Sequence, residues 1–559
     1  MSRNTLPESG QGRSIDRRAF LRFGAIGGAV AAAAASGRAV AAPLEGGDSP
    51  APAQRFELEE ATIADLQQRM KLGQDTARSL VEKYLARIEA LDKRGPTLNQ
   101  ILEINPDALE IADRLDAERK VKGARGPLHG IPVLLKDNVG TADRMTTTAG
   151  SLALEGSIPP KDSFVARRLR EAGAILLGKT NMSEWANFRS THSSSGWSGR
   201  GGQGRNPYAL DRNTSGSSSG SGAAVAANYA PLAIGTETDG SIVSPSNNNS
   251  IVGIKPTIGL VSRAGIIPIA HSQDTAGPMA RSVADAAILL GALSGADPDD
   301  PVTKNGLKKG EPDYTKFLDP NGLKGARIGV PRKKLFGDSP AADRLVEAAI
   351  ADMKKLGATI VDPADIPTIG QVDKSEFEVL LYEFKADLNA YLTSLGPNSP
   401  IHSLKEAIEF NNRHRDREMP YFGQEIFLQA EEKGPLTSKA YLTALSRNHR
   451  LTRTAGIDAV MAKYRLDALV APTSAPPSLT DLVNGDYGPG GSSSFPAVAG
   501  YPHITVPAGY YFGLPVGISF FGRAFSEPAL IRVAYAFEQA TRHRRPPMFL
   551  PTADLSPRG

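Results

Sequence analysis

The sequence predicts an α/β protein with a large mixed central β-sheet flanked by helices, in a single domain that carries a helical insertion. Two observations support this class. Short apolar segments of strand length alternate with helical patterns along most of the chain. Residues 56–549 also contain no change of composition or internal repeat that would require a second domain. With 559 residues, 40% hydrophobic and 22% charged, the chain can bury a large core.

The elements follow from hydrophobic periodicity, taken in chain order. Apolar residues at helical spacing predict helices in residues 63–91, 164–172 and 223–228. Short apolar runs predict buried strands at 130–135, 174–177, 231–235, 327–330, 358–361, 466–471, 503–507 and 516–520. Residues 372–463 are helical and strongly charged, which indicates an insertion, and 550–559 form a C-terminal tail.

The first 55 residues have the pattern of an export signal and a linker. Residues 16–22 read DRRAFLR, an Ala/Gly-rich stretch follows to about residue 36, and Ala39-Val40-Ala41 offers a cleavage site. We therefore expect a twin-arginine (Tat) signal peptide at 1–41, a linker at 42–55, the Tat translocase as export partner, and a periplasmic or secreted bacterial protein. The alternative is a flexible terminus with chance arginines.

Composition excludes several classes of function. The chain has no cysteine, which removes cysteine nucleophiles, disulfides and cysteine-rich metal sites. Its eight histidines form no metal-binding pattern, so we expect no metal and no cofactor. The 64 basic and 60 acidic side chains nearly balance, which gives no case for a nucleic-acid partner. The apolar stretch near the N-terminus is too short for a stable membrane span.

Two serines far apart in sequence are predicted to meet in one site. A Gly/Ser loop with the sequence TSGSSSGSG, residues 214–222, holds Ser217 and leads into a short helix and then a strand. If that strand runs back antiparallel to the helix, Ser241 lies near Ser217, because the two elements have similar lengths. The glycines of the loop let backbone approach a ligand closely.

Lys136 is the candidate base for such a serine pair. A serine needs a base to act as a nucleophile, and no histidine is placed convincingly for that role. Lys136 directly follows the apolar run 130–135, where burial would lower the pKa of its amine. On position alone, a lysine at a strand end with its ammonium group in water is the commoner arrangement.

Six sequence blocks resemble the amidase-signature family in their order and spacing. They read GIPVLLKDN (130–138), the Gly/Ser loop, GTETDGS (235–241), IVGIKPT (251–257), DTAGPM (274–279) and GLPVGI (513–518). The resemblance implies the amidase-signature fold and hydrolysis of amide bonds. It assigns Ser241 as nucleophile, Ser217 as bridging serine held by a cis peptide, and Lys136 as base.

The same resemblance implies an oxyanion hole made of backbone N–H groups. These belong to Thr238, Asp239, Gly240 and Ser241. Some positions depart from the common family pattern: Asp239, Ser215 and Ser219 stand where glycine is more usual, and residues 244–250 are unusually polar.

Within the family the sequence is most similar to the bacterial peptide amidases. The matching pieces include SEWANFR (183–189), SGWS (195–198) and GLVSR (259–263). Such enzymes release ammonia from the C-terminal amide of peptides, so the expected partner is a peptide or small-molecule amide. Trp185 and Ser218 are weak candidates for substrate binding. Four aromatic residues could line an acyl pocket: Trp185, Phe188, Trp197 and Tyr208. Aromatic residues in such positions more often belong to the core.

Other functions remain open at this point. An aryl-acylamidase or a general aliphatic amidase would use the same residues. Less favoured are the amidotransferase A-type subunit that supplies ammonia to glutamyl-tRNA, and a non-catalytic periplasmic binding protein. Residues 216–220 also match G-x-S-x-G, which would make Ser218 the nucleophile of an α/β-hydrolase. That motif requires a buried strand immediately before it, and residues 206–213 do not have that pattern.

Overall fold

The structure is a computed structural model that describes residues 56–487 and 490–556. The predicted signal peptide (1–41) and linker (42–55) lie outside the described residues. Within those residues, no helix has the length and apolar character needed to cross a membrane.

The centre of the fold is one mixed sheet of eleven strands. Its order is β1-β3-β2-β6-β8-β7-β12-β13-β11-β9-β10, and β4 and β5 form a separate small hairpin. The strands are β1 Ile101–Ile104, β2 Pro132–Lys136, β3 Ile175–Thr180, β4 Trp197–Ser198, β5 Gly202–Gln203, β6 Leu232–Glu237, β7 Val252–Lys255, β8 Thr275–Ala280, β9 Arg327–Gly329, β10 Thr359–Val361, β11 Ala468–Pro472, β12 His503–Tyr511 and β13 Leu514–Phe521. The predicted large mixed sheet is confirmed.

Helices flank this sheet along the whole described chain. They are α1 Ile63–Lys71, α2 Ala77–Ile88, α3 Ala108–Lys122, α4 Phe164–Glu171, α5 Ser219–Ala226, α6 Val243–Asn248, α7 Val283–Leu293, α8 Thr303–Lys309, α9 Pro340–Lys355, α10 Asp373–Ser394, α11 Leu404–Arg413, α12 Arg415–Glu418, α13 Glu425–Glu431, α14 Lys439–Thr452, α15 Asp458–Tyr464, α16 Ser494–Ala499 and α17 Glu527–Thr541. The run α10–α15 occupies the range predicted for the helical insertion, and α10 packs against α11, α13 and α14.

Parallel pairing places the candidate residues at one edge of the sheet. Strand β2 pairs in parallel with both β3 and β6, and all five of its residues are buried. Leu135 lies opposite Ile234 of β6. Lys136 and Gly235, the next residues along the two strands, therefore lie side by side. Because parallel strands end at the same edge, Lys136 and the segment that follows β6 share one site.

The structure differs from the sequence-based element assignment in two ways. The helix expected over 63–91 is divided into α1 and α2, because Gly73 adopts a left-handed φ of 69° and Thr76 caps a new helix. Strands β1, β4, β5, β7 and β8 were not predicted. Strand β8 contains Gly277 and Pro278, both of which have low strand propensity, and β4 and β5 have only two residues each.

Candidate active site

Lys136 ends strand β2 with a fully buried side chain. Its Nζ lies 2.8 Å from Oγ of Ser217, 2.9 Å from Oγ1 of Thr236 and 3.2 Å from the carbonyl oxygen of Thr236. A neutral amine has two N–H donors and one lone pair. Thr236 supplies two acceptors and the Ser217 hydroxyl can donate to the lone pair, so the surroundings match the uncharged form.

The environment of Lys136 brings the pKa of its amine close to neutral pH. Burial lowers the pKa of Lys136 to about 7, because a charged ammonium group loses its hydration there. The carboxylates of Asp274 and Glu237 act in the opposite direction and raise that pKa. Burial is the larger effect, which makes Lys136 a base that functions near neutral pH.

Ser217 is held in the Gly/Ser loop just before α5. The peptide bond between Gly216 and Ser217 is cis, and the backbone N–H of Ser183 donates to the Ser217 carbonyl at 3.1 Å. A Cβ atom at Gly216 would lie 2.2 Å from Oγ of Ser183. Only glycine fits at that position, so the loop sequence is needed to bring Ser217 to Lys136.

Ser241 follows β6 in the turn before α6 and comes back beside the Gly/Ser loop. The backbone N–H of Ser218 donates to the Ser241 carbonyl at 3.2 Å, so the two segments are in direct contact. The path predicted from the sequence, out along a short helix and back along a strand, therefore exists as α5 and β6. The hydroxyls of Ser217 and Ser241 form no hydrogen bond with each other in the described part of the chain.

The segment 238–241 has the properties of an anion-binding turn. Across residues 56–487 and 490–556, the backbone N–H groups of 238–241 donate to no protein acceptor. Gly240 adopts a left-handed φ of 79°. Just beyond the turn, the buried Glu237 carboxylate accepts the N–H groups of Ile242 at 2.7 Å and Val243 at 3.0 Å. Free N–H groups at a fixed turn can stabilise a developing oxyanion.

Asp274 fixes the side chain of Thr238 in this turn. Its carboxylate accepts the Thr238 hydroxyl at 2.5 Å and the N–H groups of Ile269 and Ala270 at 2.8 and 2.9 Å. Burial raises the pKa of Asp274 to about 6, while these hydrogen bonds act to lower it. The carboxylate is thus ionised near neutral pH and adds a negative charge to the surroundings of Lys136.

A cavity of about 430 Å³ opens onto these groups. Ser217, Thr236 and Thr238 contribute to its wall. Most of the rest of the wall comes from Pro159 to Lys161, from the segment between Arg263 and Thr275, and from the C-terminal end of α10 with Leu395 after it. Further lining residues are Asn138, Ala186, Asp299 and Asp300. Both apolar and charged side chains line it, and its size suits two or three amino-acid residues of a substrate.

The two residues suggested for substrate binding lie elsewhere. Ser218 is buried, and its Oγ donates to the Thr236 carbonyl at 3.0 Å and accepts the Thr236 N–H at 3.1 Å. These two bonds tie the Gly/Ser loop to β6. Trp185 is also buried and packs edge-on against Phe427.

The other aromatic candidates belong to the interior as well. Phe188, Trp197 and Tyr208 are all buried, and none of them lines the 430 Å³ cavity. Aromatic side chains with this much apolar surface are more useful in the core than at a polar cleft. Tyr391 and the isoleucines Ile267 and Ile269 line the cavity in their place.

One group of side chains has the composition of a metal site. In the described ranges, His271, Glu383 and Asp387 bring potential ligand atoms within 4.8 Å of one another. The imidazole of His271 already lies between the two carboxylates, with Nδ1 2.9 Å from Asp387 and Nε2 3.4 Å from Glu383. The hydrogen bond to Asp387 and the charge of Glu383 raise the pKa of His271, while burial acts to lower it.

Sequence reasoning missed three residues that complete the site. Thr236 and Asn138 form a hydrogen-bonded pair at 3.0 Å beside Lys136, and Asp274 holds Thr238. Asn138 lies in the turn directly after β2, within the block 130–138 that the sequence analysis singled out. Thr236 and Asp274 each lay within a recognised block, but nothing in the sequence indicated their contacts.

Comparison with known proteins identifies the family of the chain. The model of the family described as Amidase matches residues 79–531. The solved structure of native peptide amidase from Stenotrophomonas maltophilia is 51% identical, with a TM-score of 0.85, covering 88% of this chain and 99% of that one. A "probable amidase" of Arabidopsis thaliana is 45% identical over 89% of this chain and 93% of its own length.

A further relative belongs to a different branch. The A-type subunit of the glutamyl-tRNA(Gln) amidotransferase from Symbiobacterium thermophilum is 35% identical over 84% of this chain and 95% of its own length. The family match covers most of the chain, and the predicted resemblance to the amidase-signature family and its peptide amidases is confirmed. The chain therefore belongs to the amidase family and is a hydrolase that acts on amide C–N bonds.

Proposed function

We propose that this enzyme hydrolyses the C-terminal amides of peptides and releases ammonia, using Ser241 as nucleophile, Ser217 as proton bridge and Lys136 as base. The observation that carries this assignment is the 2.8 Å contact between the buried Lys136 amine and the Ser217 hydroxyl. The 51% identity to a peptide amidase supports the substrate class. The 430 Å³ cavity beside Ser217 is also large enough for the end of a peptide.

The first half of the reaction forms an acyl-enzyme. Neutral Lys136 takes the proton of Ser217, which takes the proton of Ser241 as that hydroxyl turns toward it; such contacts often tighten only when substrate is bound. The oxygen of Ser241 then attacks the amide carbonyl carbon. The oxyanion is held by the N–H groups of residues 238–241, which have no protein acceptor among the described residues.

The second half returns the enzyme to its starting state. The protonated Lys136 gives its proton back through Ser217 to the departing nitrogen, the C–N bond breaks, and ammonia leaves. Water then attacks the ester of Ser241, and the same relay accepts and returns a proton. The products are a free carboxylic acid and the unmodified enzyme.

A substrate panel tests the reaction class. The purified enzyme is incubated with C-terminally amidated peptides, the same peptides with free carboxylates, glutamine, benzamide and anilides, and ammonia or amine release is measured. We expect ammonia from the amidated peptides at the highest kcat/KM. A preference for anilides or small amides would instead favour the aryl-acylamidase or aliphatic amidase, and glutaminase activity that needs a partner would favour the amidotransferase role.

Replacement of single serines tests the residue roles. Ser241→Ala is expected to abolish turnover and labelling by a fluorophosphonate probe, whereas Ser218→Ala is expected to keep the label. Turnover retained in Ser241→Ala would reject Ser241 as nucleophile. If the unaltered protein is not labelled and hydrolyses no amide, a non-catalytic binding role would replace the proposal.

We also propose that the enzyme is exported through the twin-arginine route and works in the periplasm or outside the cell. The support is the ordered pattern of Arg17-Arg18, the apolar stretch and Ala39-Val40-Ala41. N-terminal sequencing of exported material should begin at residue 42. An intact Met1, or export unchanged after both arginines are replaced by lysine, would reject this route.

A further inference from the structure

Helix α10 presents three acidic side chains to the segment 271–273. Gln273 Nε2 donates to Glu376 at 2.9 Å, the N–H of Ser272 donates to Glu383 at 2.9 Å, and the N–H of His271 donates to Asp387 at 2.9 Å. Residues 376, 383 and 387 are seven and four positions apart, which places them on one face of the helix. The helix thus fixes the segment that leads into Asp274.

Glu376 also reaches the turn that carries the oxyanion donors. It is buried, and its carboxyl group faces the carboxyl group of Asp239. Asp239 in turn accepts the Ser493 hydroxyl at 2.5 Å. Two carboxyl groups can share a hydrogen bond only when one of them carries a proton, because two adjacent carboxylates repel each other.

The surrounding charges decide which of the two carboxyl groups is protonated. Asp373, on the same helix, adds a negative charge near Glu376. On the other side, Asp239 faces the buried cation Lys255 as well as Glu237. Burial first, and then Asp239, raises the pKa of Glu376 well above its usual range. Within the pair, Lys255 thus acts on Asp239, whereas Glu376 is the member whose neutral form the surroundings favour.

A bridging amide extends this contact to Thr238. The same Nε2 of Gln273 that donates to Glu376 lies 3.3 Å from the carbonyl oxygen of Thr238. Glu376 is thereby linked to two consecutive residues of the turn, to Asp239 directly and to Thr238 through Gln273. The first link is made to a side chain and the second to a backbone carbonyl, and both hold residues of the turn.

We propose that Glu376 is a positioning residue, whose protonated carboxyl group holds Asp239 and so keeps the N–H groups of residues 238–241 aimed at the reacting carbonyl. This inference rests on the proposed amide hydrolysis at Ser241. At high pH the Glu376 proton is lost, the two carboxylates repel, and the turn loosens. The activity is therefore expected to fall on the alkaline side through Glu376, separately from the loss on the acid side through Lys136.

Three variants of α10 test this role. Glu376→Gln keeps a neutral N–H donor for Asp239, Glu376→Ala removes the contact, and Glu378→Gln is the matched control, because Glu378 pairs with Lys433 at 2.8 Å away from the turn. We expect Glu376→Ala to lower kcat by about tenfold or more with little change in KM, since misplaced oxyanion donors weaken only the transition state. Glu376→Gln should restore kcat at neutral pH and abolish the alkaline fall.

A spectroscopic readout makes the test independent of turnover. Infrared difference spectra should show the carbonyl band of a protonated carboxylic acid in the unaltered enzyme and in Glu378→Gln, and its loss in Glu376→Gln. The inference is wrong if that band does not change, or if Glu376→Gln keeps the original alkaline fall. Should Glu376→Ala fail to fold, Glu376→Gln and the infrared band still decide the question. If the proposed function itself were wrong, the unaltered enzyme would hydrolyse no amide, which is a different result.

Discussion

Replacing the buried Lys136 by methionine should stabilise the protein at low pH while it abolishes activity. Methionine keeps most of the apolar volume of the lysine side chain and removes the amine. The pKa of Lys136 falls from 10.5 to about 7 on burial. At about 1.4 kcal/mol for each pKa unit, this difference corresponds to a folding cost of about 5 kcal/mol below neutral pH.

The substitution also removes hydrogen bonds, which offsets part of the stability gained by removing the buried amine. Thr236 and Ser217 lose the amine as a partner, which costs about 2 kcal/mol for buried neutral groups. At about pH 6 we therefore expect Lys136→Met to be more stable than the unaltered protein by about 3 kcal/mol. At about pH 10 the unfolded lysine approaches its own pKa of 10.5, so the cost of the buried amine shrinks to about 1 kcal/mol and the lost hydrogen bonds outweigh it.

The direction of this pH dependence follows from how strongly the folded and unfolded states bind the Lys136 proton. The folded state binds the Lys136 proton more weakly than the unfolded chain, so the stability of the unaltered protein rises with pH between about 7 and 10.5. Urea unfolding of both proteins at several pH values measures the difference, and Lys333→Met, at an exposed lysine, is the control. An equal stability change at low and high pH would refute the buried neutral amine.

Three further substitutions probe the neighbours of Lys136. Asp274→Asn should move the acid limb of the kcat profile to lower pH, since the Asp274 carboxylate raises the pKa of Lys136; an unmoved limb would contradict this. Thr236→Val removes an acceptor for the amine and should lower kcat by roughly tenfold to hundredfold. Thr236→Ser keeps the hydroxyl and should have nearly normal kcat, and equal rates for the two variants would count against the role of that hydroxyl. Ser218→Ala should cost about 1–2 kcal/mol of stability yet leave Ser241 reactive, and loss of labelling at Ser241 would revive the hydrolase alternative.

The central strands of the sheet could be predicted because they are buried on both faces. A run such as Pro132–Lys136 has no polar alternation and reads as a buried parallel strand. Strand β8 could not be found in this way, because Gly277 and Pro278 interrupt its pattern and its pairing with β6 and β7 makes it a strand. Tertiary contacts overrode local propensity there.

The contact between Lys136 and Ser217 could be anticipated, but the residues that surround and support the site could not. Lys136, Ser217 and Ser241 lie in blocks with recognisable spacing, and the α5–β6 path explains why two of them meet. Glu376 lies on a charged helix more than a hundred residues away, in a segment with no motif. Its role depends on which face of α10 meets the segment 271–273, and a sequence alone does not specify that packing.

The site makes opposite demands on two buried groups, and together they set the pH range in which the enzyme can work. Lys136 must lose its proton, which burial makes possible at about pH 7, whereas Glu376 must keep one, which burial and Asp239 make possible well above the usual range of a carboxyl group. The same physical cause, removal of water, thus lowers the pKa of the base and raises that of the positioning acid. Both groups therefore favour their neutral forms in the folded protein. On the proposed roles, Lys136 governs the acid limb of the profile and Glu376 the alkaline limb, so Asp274→Asn should move only the first and Glu376→Gln only the second.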